Sequence, residues 1–203
     1  MTGLWQRLRG SVRSEPWTEV VYWALDLETS GLDPRRDEIL AVGMVPIRAG
    51  AVRWGERFTT LVRPDRPGVA AGAGLAAHHL LPGEVAAGVP LQEAVDEILR
   101  RIEGGALLVH CAPVDVPFLR AACASCGRRW PAVPVVDTAA LVDQMARLDY
   151  PKVAADSSLS AARARFGLPE AAQHDALADA LATAELFLAL RHHLQAIRLG
   201  DLL

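Results

Sequence analysis

Val20-Val21-Tyr22-Trp23-Ala24-Leu25-Asp26-Leu27-Glu28-Thr29-Ser30-Gly31-Leu32 is the stretch on which the fold turns. Val20 to Leu27 is apolar and rich in β-branched and aromatic residues, and it reads as a central strand. Side chains alternate between the faces of a sheet, so Asp26 and Glu28, two apart, leave the same face. In so apolar a run two carboxylates are costly unless something compensates them. A divalent cation is the natural compensator, because hard ions such as Mg²⁺ and Mn²⁺ take carboxylate oxygens. The alternative is a strand end at which both acids reach water. Thr29-Ser30-Gly31-Leu32 then breaks the strand and leaves backbone N–H groups beside the acids, where a nucleotide could lie.

Working outward, Glu38–Ile47 and Val52–Val62 read as the next two strands, joined by the turn Arg48-Ala49-Gly50-Ala51. Three antiparallel strands in a row follow. Residues 64–90 are rich in Pro, Gly and Ala and read as loop with a short helix. Leu91 to Glu103 has helical periodicity, ended by Gly104-Gly105. Ala106–His110 is a buried strand, followed by a helix from about Val114 to Cys126. Val133–Val136 is a short strand leading into a helix over Thr138–Arg147, and helices over Leu159–Phe166 and His174–His193 complete the set. Strands first, then strands alternating with helices, predict an α/β fold: a mixed five-stranded sheet, three antiparallel strands followed by parallel additions, flanked by helices. We expect a domain over 18–193 and a tail over 194–203. Residues 1–17 read as an appendage, in which Leu4, Trp5, Leu8 and Val12 fall at helical spacing among arginines.

Two further clusters carry chemistry. Asp115 follows the strand Ala106–His110 by a short turn; alone it would simply cap the next helix. His174 and Asp179 are five apart, roughly 140° around a continuous helix. They can share one site only if His174 lies in the loop or first turn before the helix, and Gly167-Leu168-Pro169 makes such a loop. Asp179 sits among Ala176, Leu177, Ala180 and Leu181, an acid on a helix otherwise fit for burial. Beside three carboxylates, His174 becomes a candidate general base, since histidine as a residue type titrates near neutrality.

Composition bounds the function. At 203 residues, 51% hydrophobic and 22% charged, the chain is long enough for one domain with a substantial core. No apolar run is long enough to span a bilayer, and residues 1–17 lack the apolar block of a secretion signal, so a cytoplasmic protein is expected. Cys111, Cys123 and Cys126 fit a reducing compartment. Cys123 and Cys126 have the spacing of half a zinc site; two small residues on an Ala-rich helix is the preferred reading. A net charge of −3 does not suit a duplex-binding surface, but bound divalent ions would offset the acidic cluster locally.

Asp26-Leu27-Glu28-Thr29-Ser30-Gly31-Leu32, the middle Asp115 before Phe118-Leu119, and His174 five before Asp179, in this order, resemble the DEDDh (DnaQ-like) class of 3′–5′ exonucleases. Within that class the chain looks like the branch that contains the proofreading epsilon subunit of bacterial DNA polymerase III. The resemblance implies an RNase H-like fold and two-metal hydrolysis of a phosphodiester at a single-stranded 3′ end, DNA favoured, with release of nucleoside 5′-monophosphates. It implies that Asp26, Glu28 and Asp179 hold one Mg²⁺ or Mn²⁺ ion, that Asp26 also touches a second, and that Asp115 acts partly through water. It casts His174 as general base, Leu32 as a wedge beside the terminal base, and the backbone at Thr29 as a contact to the 3′-hydroxyl. His78 and His79 fall in the family's substrate loop. The chain departs from the pattern in three places: His110-Cys111 stands where His-Asn is usual, Val114 where Phe is, and His78-His79-Leu80 where His-Gly-Ile is. The alternatives are trimming of short oligoribonucleotides and, from another class, a module that holds 3′ ends or a partner without cutting. Residues 1–17 could attach the domain to a polymerase or other assembly.

Overall fold

The computed structural model describes residues 14–66, 69, 80–149, 156–172 and 174–203. Six strands form one sheet: β1 (Tyr22–Thr29), β2 (Ile39–Arg48), β3 (Ala51–Val52), β4 (Phe58–Leu61), β5 (Ala106–Val109) and β6 (Val135–Asp137). Among the described residues six helices flank them: α1 (Pro82–Ala86), α2 (Leu91–Ile102), α3 (Ala112–Ser125), α4 (Thr138–Asp149), α5 (Leu159–Arg165) and α6 (Ala176–His193). The order across the sheet is β3-β2-β1-β5-β6, with β4 also on β2. β1 is antiparallel to β2, and β3 and β4 pair antiparallel with β2. β5 and β6 are then added in parallel. The three-antiparallel-then-parallel sheet expected from the sequence is therefore present, its six strands filling five positions.

The stretch expected as one strand over Val52–Val62 is interrupted by a single 3₁₀ turn at Trp54–Glu56. Pro46 of β2 supplies the reason. Its carbonyl accepts from Arg53 N–H, but proline has no N–H to return to the Arg53 carbonyl. That carbonyl instead accepts from Glu56 N–H at 2.9 Å, closing a turn, and pairing resumes at Phe58.

The alternation of β1 divides the core in two. Trp23, Leu25 and Leu27 face α2 and α3, joining Val95, Ile98, Phe118 and Leu119. Tyr22 and Ala24 face α4 and α6, joining Val142, Met145, Leu186, Phe187 and Leu190. By the same alternation Asp26 and Glu28 lie on the α6 face. Residues 194–203, expected as a tail, lay Ala196, Leu199 and Leu202 into this second core. The segment from Ser14 pairs with them: Trp17 N–H donates to the Ile197 carbonyl at 3.0 Å and Leu199 N–H to the Glu15 carbonyl at 3.0 Å.

One glycine governs how α6 meets the sheet. Gly43 of β2 pairs with Asp26, and a Cβ placed on it would overlap the Ala176 carbonyl and the Leu177 nitrogen. Only a residue without a side chain lets the first turn of α6 rest directly on the sheet at the level of the β1 acids. Ala176, Ala180 and Ala184, four apart, keep that face of the helix thin.

Candidate active site

The carboxyl end of β1, the loop after it and the N-terminus of α6 enclose the acids. One carboxylate oxygen each from Asp26, Glu28 and Asp179 lies within 4.8 Å of the other two. Asp26 and Asp179 line a cavity of about 370 Å³, together with His110, Arg163 and His174. The ladder between β1 and β2 is irregular at Glu28/Thr29, where the chain turns off the sheet beside the acids.

The helix terminus is built to hold its share. Asp175 caps α6, its side chain accepting from Ala178 N–H at 2.8 Å. His174 precedes the helix with a positive φ of 62°, and its backbone N–H donates to the Asp179 carboxylate at 3.0 Å. The expectation that His174 must leave the helix to share a site with Asp179 is thereby met in the geometry: α6 begins at Ala176 and both residues line the same cavity.

Asp115 is buried in the first turn of α3, which starts at Ala112, two residues before the expected Val114. It does not cap that helix, whose N-cap is Cys111. Asp115 is outside the trio of mutually close oxygens, yet after burial its charge is the strongest influence on Asp26.

The electrostatics are those of an uncompensated cluster. Burial, then the neighbouring charges of Asp115, Glu28 and Asp179, push Asp26 well above the usual carboxylate range. Burial and the Asp179 charge raise Glu28 to about 7. Burial raises Asp115 to about 8, against the opposing backbone N–H of Leu27. Asp179 is raised by burial and relieved in part by the His174 N–H and by the charges of His174 and Arg163. Burial holds His110 below the ordinary histidine value, so this cavity residue is neutral near pH 7. Four carboxylates that resist ionisation together are a donor set suited to a hard divalent cation, all oxygen and all anionic when it binds.

The remaining sequence-predicted residues stand around this core. Thr29 is buried and its hydroxyl donates to the Gly31 carbonyl at 2.7 Å. Leu32 is 84% exposed at the loop tip, the most exposed of the large apolar side chains described. His78 and His79 lie outside the described residues.

Two residues of consequence were missed in the sequence. Asp137, at the end of β6, accepts from the backbone N–H groups of Cys111 and Ala112 at 2.9 Å each, and from Ala139 at 3.0 Å. It thus fixes the start of the helix that carries Asp115, and the start of α4 with it. Its place just ahead of a predicted helix was a capping signal. The second is Arg163, 4% exposed in the wall of the cavity. Cys111, where the family pattern has Asn, takes a left-handed conformation with φ of 73°.

Comparison with known proteins agrees with this arrangement. The profile of the Exonuclease family (RNase_T) matches residues 23–187. A Rhodobacter capsulatus protein named DNA polymerase III subunit epsilon-like protein is 36% identical over 89% of this chain, which spans 25% of that protein. The DNA polymerase III subunit epsilon of Treponema pallidum is 32% identical over 86% of this chain and 78% of its own length. Exonuclease I of E. coli in complex with an oligonucleotide shares the fold, with a TM-score of 0.72 at 16% identity, over 90% of this chain and 42% of that one. The chain therefore spans well under half of some relatives and most of another. It belongs to the Exonuclease (RNase_T) family.

Proposed function

We propose that this domain removes nucleotides from the 3′ end of single-stranded nucleic acid, DNA in preference to RNA, releasing nucleoside 5′-monophosphates. The observation that carries the reading is the trio of carboxylate oxygens within 4.8 Å of one another, under a cavity that His174 also lines. Asp26, Glu28 and Asp179 would hold a Mg²⁺ or Mn²⁺ ion. Asp26 would also touch a second ion, and Asp115 would assist through water. Two such ions, when bound, lower the pKa of water and stabilise both the attacking and the leaving oxygens of an in-line displacement.

The protein's own groups supply orientation and proton handling. His174 would accept the proton of the attacking water on its imidazole; its backbone is fixed by the bond to Asp179. Leu32 would sit against the terminal base, and the Thr29–Gly31 turn would present backbone to the 3′-hydroxyl. Preference for DNA is supported by the relatives named as DNA polymerase III subunits. Those names also support a polymerase as partner, and residues 1–17 would be the segment that engages it. Ser14–Trp17 is held at the C-terminal end of α6, about 18 Å along the helix from Asp179.

Cleavage of 5′-labelled single-stranded DNA and RNA with Mg²⁺ or Mn²⁺, beside an EDTA control, tests the proposal. A metal-dependent ladder shortening from the 3′ end, stronger for DNA, is expected. Folded protein that binds the oligonucleotide and never shortens it would favour a 3′-end-binding module instead.

A further inference from the structure

A buried guanidinium is an expensive wall for a cavity, and Arg163 is used at nearly every donor. Nη1 donates to the Ala182 carbonyl of α6 at 2.8 Å. Nε and Nη2 both donate to the Pro169 carbonyl, at 3.3 and 2.9 Å. Nη2 also donates to the Glu185 carboxylate at 2.8 Å. The Arg163 carbonyl meanwhile accepts from Phe166 N–H and Leu168 N–H, both at 3.1 Å. One residue thus holds the turn after α5 from both its backbone and its side chain, and fastens that turn to α6.

This turn begins the segment that ends at His174. The segment has two described anchors: the Pro169 carbonyl on Arg163, and the His174 N–H on the Asp179 carboxylate. The first anchor is joined through the guanidinium to α6, the helix that carries the second. Both ends of the histidine segment are therefore referred to one rigid body. A planar fork of five donors can serve Pro169, Ala182 and Glu185 together, whereas the single nitrogen of a lysine cannot.

We infer that Arg163 is a positioning residue for the reaction, latching the segment after α5 to α6 so that His174 is held over the acids. The inference rests on the reading of His174 as the group that takes the proton. A displacement of about 1 Å in a reacting group can cost about 10²-fold in rate, so the latch acts on turnover rather than on substrate affinity.

The test is a double-mutant cycle on the full chain with single-stranded DNA, joined to amide exchange. Arg163→Ala is expected to lower kcat by about 10- to 100-fold with KM changed by less than about threefold. Combined with His174→Ala it should cost nothing further, because the arginine acts through the histidine. Losses that add in the double variant, or a folded Arg163→Ala within about threefold of wild-type kcat, overturn the inference. Should Arg163→Ala fail to fold, Arg163→Lys keeps the charge and loses the fork. Its amide exchange across 166–176 should rise by about tenfold or more while β1 and β5 stay protected, and unchanged exchange there also overturns the inference. The reading of His174 falls separately, if His174→Ala alone loses less than about tenfold.

Discussion

The two halves of α6 lie on the same strands of the same sheet and are built in opposite ways. The C-terminal half sets Leu186, Phe187 and Leu190 against Tyr22, with Trp17 edge-on to Phe187 at 6.5 Å. Tyr22 and Phe187 meet at a tilt of 44° with ring centroids 4.7 Å apart. The N-terminal half thins to alanine, comes down on Gly43, and brings Asp179 to Asp26 and Glu28. One half stabilises the fold by burying large apolar surface. The other gathers negative charge in a place where each carboxylate raises the pKa of its neighbours. The acids are held together by scaffold rather than by mutual attraction, and the well-packed end bears the cost.

That contrast can be broken first at the acids. Asp26→Asn should reduce cleavage below detection, while the metal-free protein melts higher than wild type because the fold no longer has to suppress ionisation of a buried carboxyl beside its acidic neighbours. Each kcal/mol gained corresponds to about 2–4 °C in a domain of this size. Unchanged or lower melting in EDTA would mean that the acids do not repel one another as described. His174→Ala should lower kcat by about 10²–10⁴-fold, measured at neutral pH in single turnover, with melting nearly unaltered. At the opposite end of the helix, Phe187→Ala should destabilise by about 3–5 kcal/mol, read by urea unfolding. It should leave the turnover of the folded fraction close to normal, and a matching collapse in kcat would show that the two halves do not separate.

The finest test is pH. Glu28 rises to about 7 in the fold from an ordinary 4.5. The folded state therefore holds a proton that the unfolded chain has released between those values. Stability is highest at the acid side of that window and is lost as pH rises through about 7, on the order of 3 kcal/mol from this group. In EDTA the midpoint should climb on acidification from pH 8 to 5, and saturating Mg²⁺ should flatten the slope. A midpoint that falls over the same range in EDTA would contradict the assignment.

Much of this was legible in the chain, and the reason is locality. The side-chain alternation of β1 puts Asp26 and Glu28 on one face whatever surrounds them. The helical angle between His174 and Asp179 demands a break, which Gly167 and Pro169 advertise. The pairing of late strands with helices gives the sheet its parallel half. What stayed hidden depends on partners remote in sequence. Asp137 reaches back 26 residues to Cys111, and Arg163 reaches forward 22 to Glu185. Residues 194–203 read as a tail, though Ala196, Leu199 and Leu202, spaced three apart, are all buried against distant parts of the fold. The break at Trp54–Glu56 did have a signal, Pro46, but it lies on the neighbouring strand rather than in the segment it interrupts.

Gly43 extends the same lesson to how a variant library of this domain would read. The residue carries no chemistry and has no side chain with which to touch a ligand, yet every substitution adds a carbon where the α6 backbone already is. In a screen scored by activity, position 43 would look as intolerant as the acids themselves. Scored by abundance it would part from them, since neutralising Asp26 relieves the fold whereas filling Gly43 pries it open. Two silent columns in the first screen would become a gain and a loss in the second, and that divergence separates a residue that sets a distance from one that does the chemistry.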